Sequence, residues 1–140
     1  MFAKFILCLM LIGIGLFSLV ACQSEMGQEV SADNGRYRVV SVPELQAMLE
    51  DKDFTMINVH TPWEGDIPQT DLRVPYDEID QNIDQLPQEK GTRILVYCLT
   101  SGMAKKAVTT LLAHGYTNLW MLDGGTTAWS EAGLALQGKP

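Results

Sequence analysis

The chain is poor in histidine, cysteine and basic charge, and each shortage narrows what it can do. Only two histidines, His60 and His114, occur in 140 residues. Neither has a second His or a Cys at ligand spacing, so no metal site is expected. Lysine and arginine total 10 against 17 acidic side chains, a formal net charge of −7. Such a field repels phosphate backbones and argues against nucleic acid as a partner. The 3 cysteines do not make a disulfide framework: Cys8 lies in the apolar start, Cys22 closes it, and Cys98 alone falls in the body of the chain. A glycine-rich phosphate-binding fingerprint is also missing, because Gly124-Gly125 lacks its spacing and reads as a turn. There is no internal repeat and no low-complexity block.

What is present begins with Lys4 and an uninterrupted apolar run from Phe5 to Ala21. A run of about 17 residues is slightly long for a secretory core and slightly short for a bilayer span. Its end, Leu19-Val20-Ala21-Cys22, resembles the lipobox of bacterial lipoprotein signals, where small residues precede a cysteine that is lipidated and becomes the new N-terminus. The resemblance implies a signal peptide over residues 1–21 and lipid on Cys22, with buried methylenes holding the chain at about 0.8 kcal/mol each. The domain is then expected outside the cytoplasm, on the periplasmic or outer face of a bacterial membrane. An uncleaved anchor is the alternative, and it gives the same sidedness because Lys4 stays inside in both cases. Residues 22–36 are polar and rich in Ser, Gly, Asn, Glu and Gln, so a flexible tether is expected there. One domain over 37–136 and a tail at 137–140 complete the division.

Within the domain, β-rich runs alternate with helical patterns. Strands are expected at 37–40, 54–59, 72–74, 93–97 and 118–122. Ser41-Val42-Pro43-Glu44 is a capping-box start with proline in the first turn. Helical spacing also covers 77–86, 102–114, where Gly115 serves as the left-handed cap, and 126–132. Residues 61–71 carry two prolines, a glycine and mixed charges and read as a loop, with Asp71 a candidate to order it through Arg73. Strands alternating with helices give an α/β fold with a parallel sheet and helices on both faces.

Arg93 to Tyr97 is the strongest strand, apolar on both faces as at the centre of a parallel sheet, and Cys98 stands at its C-terminal end. In such sheets the crevice lies outside the strand C-termini, where loops feed helices. Successive N–H groups of a tight strand-to-helix loop form an anion nest, and the helix dipole adds about half a positive charge. A thiolate placed there is favoured over a thiol. The bland reading of a lone Cys, a small inert hydrophobe ending a core strand, fits this junction less well.

The motifs Val96-Tyr97-Cys98, Ser101-Gly102-Met103, His114-Gly115-Tyr116, Leu122-Asp123-Gly124-Gly125 and Ala128-Trp129, preceded by Ile57-Asn58-Val59-His60-Thr61-Pro62 and Ile67-Pro68, resemble the rhodanese-like domain family in order and spacing. The resemblance covers Tyr37 to Leu136. It implies a five-stranded parallel sheet and a six-residue loop, Cys98 to Met103, whose cysteine takes sulfane sulfur, forms a persulfide and passes the sulfur on. Cys98 is then the nucleophile, and the amides of Leu99, Thr100, Ser101, Gly102 and Met103 are its anion cradle. The implied partners are a small sulfur donor and a thiol or cyanide-like acceptor. No cofactor is implied, and any partner protein stays open. The loop departs from the family in carrying Leu99, Thr100 and Ser101 where thiosulfate-using members often have cations, and Met103 where many have Arg, which counts against thiosulfate. A catalytically weak binding or redox-sensing module is the alternative. Phosphatases and arsenate reductases on this fold close a loop one residue longer with an Arg clamp, and here that place holds Ala104.

Other candidates read as structural. His114 is expected at a helix C-terminus and His60 near the pocket mouth or bracing its loop. Trp63 and Trp129 are expected to pack rather than bind, and Lys105 and Lys106 to lie on a solvated helix face.

Overall fold

The computed structural model of the protein describes residues 25–138. The expected signal segment over residues 1–21, Cys8 within it and the expected lipidation residue Cys22 lie outside the described residues. Six strands form one sheet: β1 (Gln28–Ala32), β2 (Gly35–Val40), β3 (Thr55–Asn58), β4 (Leu72–Arg73), β5 (Ile94–Tyr97) and β6 (Leu119–Leu122), with spatial order β1-β2-β6-β5-β3-β4. The helices are α1 (Val42–Glu50), α2 (Gly102–Ala113) and α3 (Gly125–Glu131), with a 3-10 turn at Asp80–Gln85.

The five expected strands pair in parallel, β2 with β6, β6 with β5, β5 with β3 and β3 with β4. The sixth strand corrects the flexible tether expected over residues 22–36. Gln28–Ala32 pairs antiparallel with β2 through a two-residue connection, Asp33-Asn34, between the paired Ala32 and Gly35. Turn residues of that kind close a hairpin, and Ala32 packs onto the core. The entry to this hairpin is tied down as well, since Gly27 N–H donates to Glu44 Oε1 at 2.9 Å. At the other end, Gln137, expected in a tail, makes an antiparallel bridge with Asp66, with main-chain bonds of 2.9 and 2.8 Å.

Alternation along the strands divides the core into two layers. Ile57, Ile94, Val96, Cys98, Leu119 and Met121 face α2, where Ala104, Ala107, Val108 and Leu111 cover them. Met56, Leu95, Tyr97, Trp120 and Leu122 face the other way, beneath Val42, Leu45 and Met48 of α1 and Trp129 of α3. Each of the Val, Leu, Ile and Met side chains among these, taken fully out of water, stabilises the fold by roughly 1.5–3 kcal/mol. At the start of α1 the Glu44 carboxylate accepts from Ser41 N–H at 2.7 Å and Ser41 Oγ at 2.8 Å. The Ser41 N–H bond, then that from Gly27, holds its carboxyl below the usual carboxylate range. This hydrogen-bonded start aims α1 across the sheet.

Candidate active site

Parallel pairing brings the C-terminal ends of β3, β5 and β6 to one edge, and the loops that leave them form the site. Cys98 follows β5 directly. Its alternation with Val96 places the side chain on the α2 face, where it is 1% exposed. It is a free cysteine. Ser101 is the N-cap residue of α2, yet its hydroxyl makes no capping bond to the helix. The hydroxyl instead donates to Asp123 Oδ1 at 3.0 Å and accepts from Gly124 N–H at 3.0 Å, fastening the Cys98 loop to the loop after β6.

A second fastening explains the glycine pair. Gly124 and Gly125 both have positive φ, 72° and 54°. A side chain at Gly125 would overlap the Cys98 carbonyl oxygen and would come within 2.6 Å of the Thr100 carbonyl oxygen. Only glycine lets α3 begin against this loop. The first turn of α3 then donates outward, Thr126 N–H to the Cys98 carbonyl and Thr127 N–H to the Leu99 carbonyl, each at 2.9 Å. Two carbonyls of the loop are thereby held away from the thiol side.

The amides have the opposite fate. Among the described residues, the N–H groups of Leu99, Thr100, Ser101, Gly102, Met103 and Ala104 have no protein acceptor, and the first amide of this stretch to be used is Lys105 N–H, donated to the Ser101 carbonyl at 3.0 Å. With the Cys98 and Leu99 carbonyls engaged and the amides open at the head of a 12-residue helix, the loop presents positive partial charge on its amide side. The five residues expected as the cradle, Leu99 to Met103, are thus contiguous in space with Cys98, and Leu99 extends outward at 40% exposure.

The loop after β3 borders the same edge. Val59 N–H donates to the Tyr97 carbonyl at 2.9 Å, which lines His60 up beside the Cys98 loop. His60 Nε2 bonds Glu64 Oε2 at 2.7 Å, while Nδ1 is buried with no partner among the described residues. Asp66 organises the rest. It accepts from Asn58 Nδ2 at 2.9 Å, Trp63 Nε1 at 3.1 Å and Arg73 Nε at 2.7 Å. Burial pushes its carboxyl up, but the bonds from Arg73, Asn58 and Trp63 outweigh this and leave it below the usual carboxylate range. Tyr97 Oη accepts from Ile67 N–H at 3.0 Å and lies 2.7 Å from Thr70 Oγ1. Burial raises the Tyr97 phenol to about 12, so it stays neutral and serves as a brace.

Several expectations change against this geometry. Arg73 pairs with Asp66 and stacks over Trp63 at 4.1 Å, whereas Asp71 accepts from Lys52 at 2.6 Å and from Met56 N–H at 2.7 Å. The expected Asp71–Arg73 link is replaced because Asp66 offers a buried carboxylate. Trp129 is a core residue with Nε1 on the Ala135 carbonyl at 3.0 Å. His114 caps α2 and reaches Asp80 at 2.6 Å, far from His60. Sequence reading missed Gly125, Thr126, Thr127 and Asp123 as parts of the site. The glycine pair at a strand end was the available signal, and it was assigned to a turn alone.

Comparison with known proteins decides the family. Residues 41–132 match the family described as Rhodanese-like domain. The chain belongs to that family. Its fold agrees with the solution structure of a rhodanese-like domain from Anabaena sp., with a TM-score of 0.61 at 27% identity over 70% of this chain and 76% of that one. A rhodanese-like domain protein from Staphylococcus aureus gives 0.58 at 25% identity, over 73% of this chain and 95% of that one. Among curated proteins, a tRNA uridine(34) hydroxylase of Erwinia tasmaniensis is 26% identical over 119 residues, 78% of this chain and 33% of its own length. This rhodanese-like chain therefore spans about a third of the length of that relative.

Proposed function

We propose that this rhodanese-like domain is a sulfurtransferase that carries sulfane sulfur as a persulfide on Cys98 and delivers it to a thiol or cyanide-like acceptor. The observation that carries the reading is the run of unengaged amides, Leu99 to Ala104, around the one cysteine at the mouth of the sheet. Charging is an exchange between sulfurs. The Cys98 thiolate attacks the outer sulfur of a donor persulfide or polysulfide, the donor's S–S bond breaks, and its electron pair leaves on the donor thiolate. Discharge is the reverse exchange with an acceptor thiolate, returning the electron pair to Cys98 Sγ. The reacting thiolate and the persulfide anion both place negative charge at the loop, where amide dipoles fixed by the Thr126, Thr127 and Ser101 bonds stabilise it without reorganising.

The reading extends to location: residues 1–21 as a lipoprotein signal and Cys22 as the lipidated residue, placing the domain outside the cytoplasm on a bacterial membrane. The motif Leu19-Val20-Ala21-Cys22 supports it. Cys22→Ala should leave the precursor uncleaved and unlabelled by fatty acid, and unchanged labelling would contradict it. The tRNA substrate in the relatives' name is not carried over, because a chain of net charge −7 does not attract a polyanion.

A second reading, a weakly catalytic binding or redox-sensing module, is favoured by one observation: Cys98 is buried and its loop holds no cation. Incubating the full chain with thiosulfate, glutathione persulfide and inorganic polysulfide, then weighing it, separates the two. The transferase reading predicts one added sulfur from the polysulfide or persulfide donors, removed by a thiol and absent in Cys98→Ser. No adduct from any donor supports the second reading.

A further inference from the structure

Beside the Cys98 loop lies an open cleft of about 300 Å³ lined by Glu64, Leu99, Thr126, Thr127, Ser130, Glu131 and Leu136. It abuts the site through two residues whose main-chain bonds are already described, Thr126 and Thr127, and through the exposed Leu99. Its walls are apolar and hydroxylic, its charges are two glutamates, and no lysine or arginine lines it. Glu64 is engaged by His60, whereas Glu131, exposed at the end of α3, has no ion-pair partner among the described residues. Asp123, also exposed, adds a third carboxylate next to the loop through Ser101.

We propose that this cleft docks the sulfur acceptor, and that the acceptor is a cysteine in a protein segment bearing apolar and basic side chains rather than a small anionic thiol. The inference rests on the sulfurtransferase reading and names its acceptor class. Charge complementarity selects the occupant. The glutamates of the cleft slow the docking of an anionic thiol without closing the loop to small anions, and they attract lysine or arginine flanking a thiol. Leu99 and Leu136 give an apolar side chain of the docked segment a surface to cover. The burial of Cys98 fits as well. Persulfide formation carries the reactive outer sulfur about 2 Å beyond Sγ, the length of an S–S bond. A docked segment meets that outer sulfur at the loop, whereas the resting thiol stays covered. The transfer conserves electrons: the acceptor thiolate attacks the outer sulfur, the Cys98 S–S bond breaks, and Cys98 regains its thiolate.

The test uses the full chain loaded with inorganic polysulfide, its added sulfur confirmed by mass and excess donor removed. Discharge rates are then compared for a Lys-Leu-Cys-Leu-Lys peptide, the matching Glu-Leu-Cys-Leu-Glu peptide and glutathione. The basic peptide should react about tenfold faster than either anionic thiol, a preference that shrinks with salt. Glu131→Gln should narrow the ratio, and Glu131→Lys, at an exposed position that folding does not depend on, should invert it. Equal rates for the three thiols, or a ratio unmoved by Glu131→Lys, would overturn the docking proposal while leaving sulfur transfer intact. Failure to load any sulfur would overturn both.

Discussion

Two loops leave the same edge of the sheet, and they treat their hydrogen bonds in opposite ways. In the β3–β4 loop, polar groups are drawn inward: Asp66 takes three side-chain donors, Tyr97 binds Ile67 and Thr70, and Gln137 closes the bridge to Asp66. In the β5–α2 loop the carbonyls of Cys98 and Leu99 are bound from α3, but the amides from Leu99 to Ala104 are left to the site. Open amides are ordinary at a helix start. Here six of them follow a cysteine directly, which makes them donors available to an anionic sulfur. The first loop is scaffold and the second is chemistry, although both stand one or two residues beyond a core strand.

The contrast breaks most completely at the thiol itself. Cys98→Ser should abolish sulfur loading in a mass measurement, while a hydroxyl at this buried position costs about 1–3 kcal/mol and leaves the fold intact. Gly125→Ala comes next. Its added Cβ forces α3 away from the Cys98 and Thr100 carbonyls, and misplacing the loop should lower transfer about 100-fold in single-turnover kinetics. On the scaffold side, Asp66→Ala should cost about 2–3 kcal/mol in urea unfolding, since it strands the buried Asn58 amide and unpairs Arg73, with transfer at low temperature largely kept. Acid sharpens the same point. The Asp66 carboxyl is depressed in the folded protein, so its contribution is present above the unfolded value of about 4 and is lost as pH falls through the folded value. Acid titration of stability should therefore be shallower in Asp66→Asn than in the parent. Ser101→Ala, which removes one link to Asp123 and Gly124, should have the smallest effect, about 1 kcal/mol in the same unfolding assay.

Much of the fold was legible because it is written in local periodicity. Ile94 to Tyr97 is apolar at every position and could only be a central strand, and the helix beginnings carried Ser41, Pro43 and the loop glycine Gly102. β1 was not legible by composition: Gln28, Glu29 and Ser31 look like linker, and only the alternation of Val30 and Ala32 with a two-residue turn marks a hairpin. Cys98 and its loop could be read from their place at a strand end. The role of Gly125 could not, because close approach of two segments 27 residues apart is a property of packing rather than of either segment. The Asp66 hub was hidden for the same reason: its partners Asn58, Trp63 and Arg73 are joined by the fold, while sequence proximity favoured Asp71 for Arg73.

The central claim is that the amides beyond Cys98 are held in reserve for sulfur anions. Amide proton and nitrogen shifts of the labelled full chain, recorded before and after loading with polysulfide, test it directly. The account predicts that the largest downfield changes fall on Leu99 to Ala104 and that the amides of Glu64 to Thr70 stay in place. Loading that leaves Leu99 to Ala104 unshifted, or that moves the β3–β4 loop instead, would contradict it.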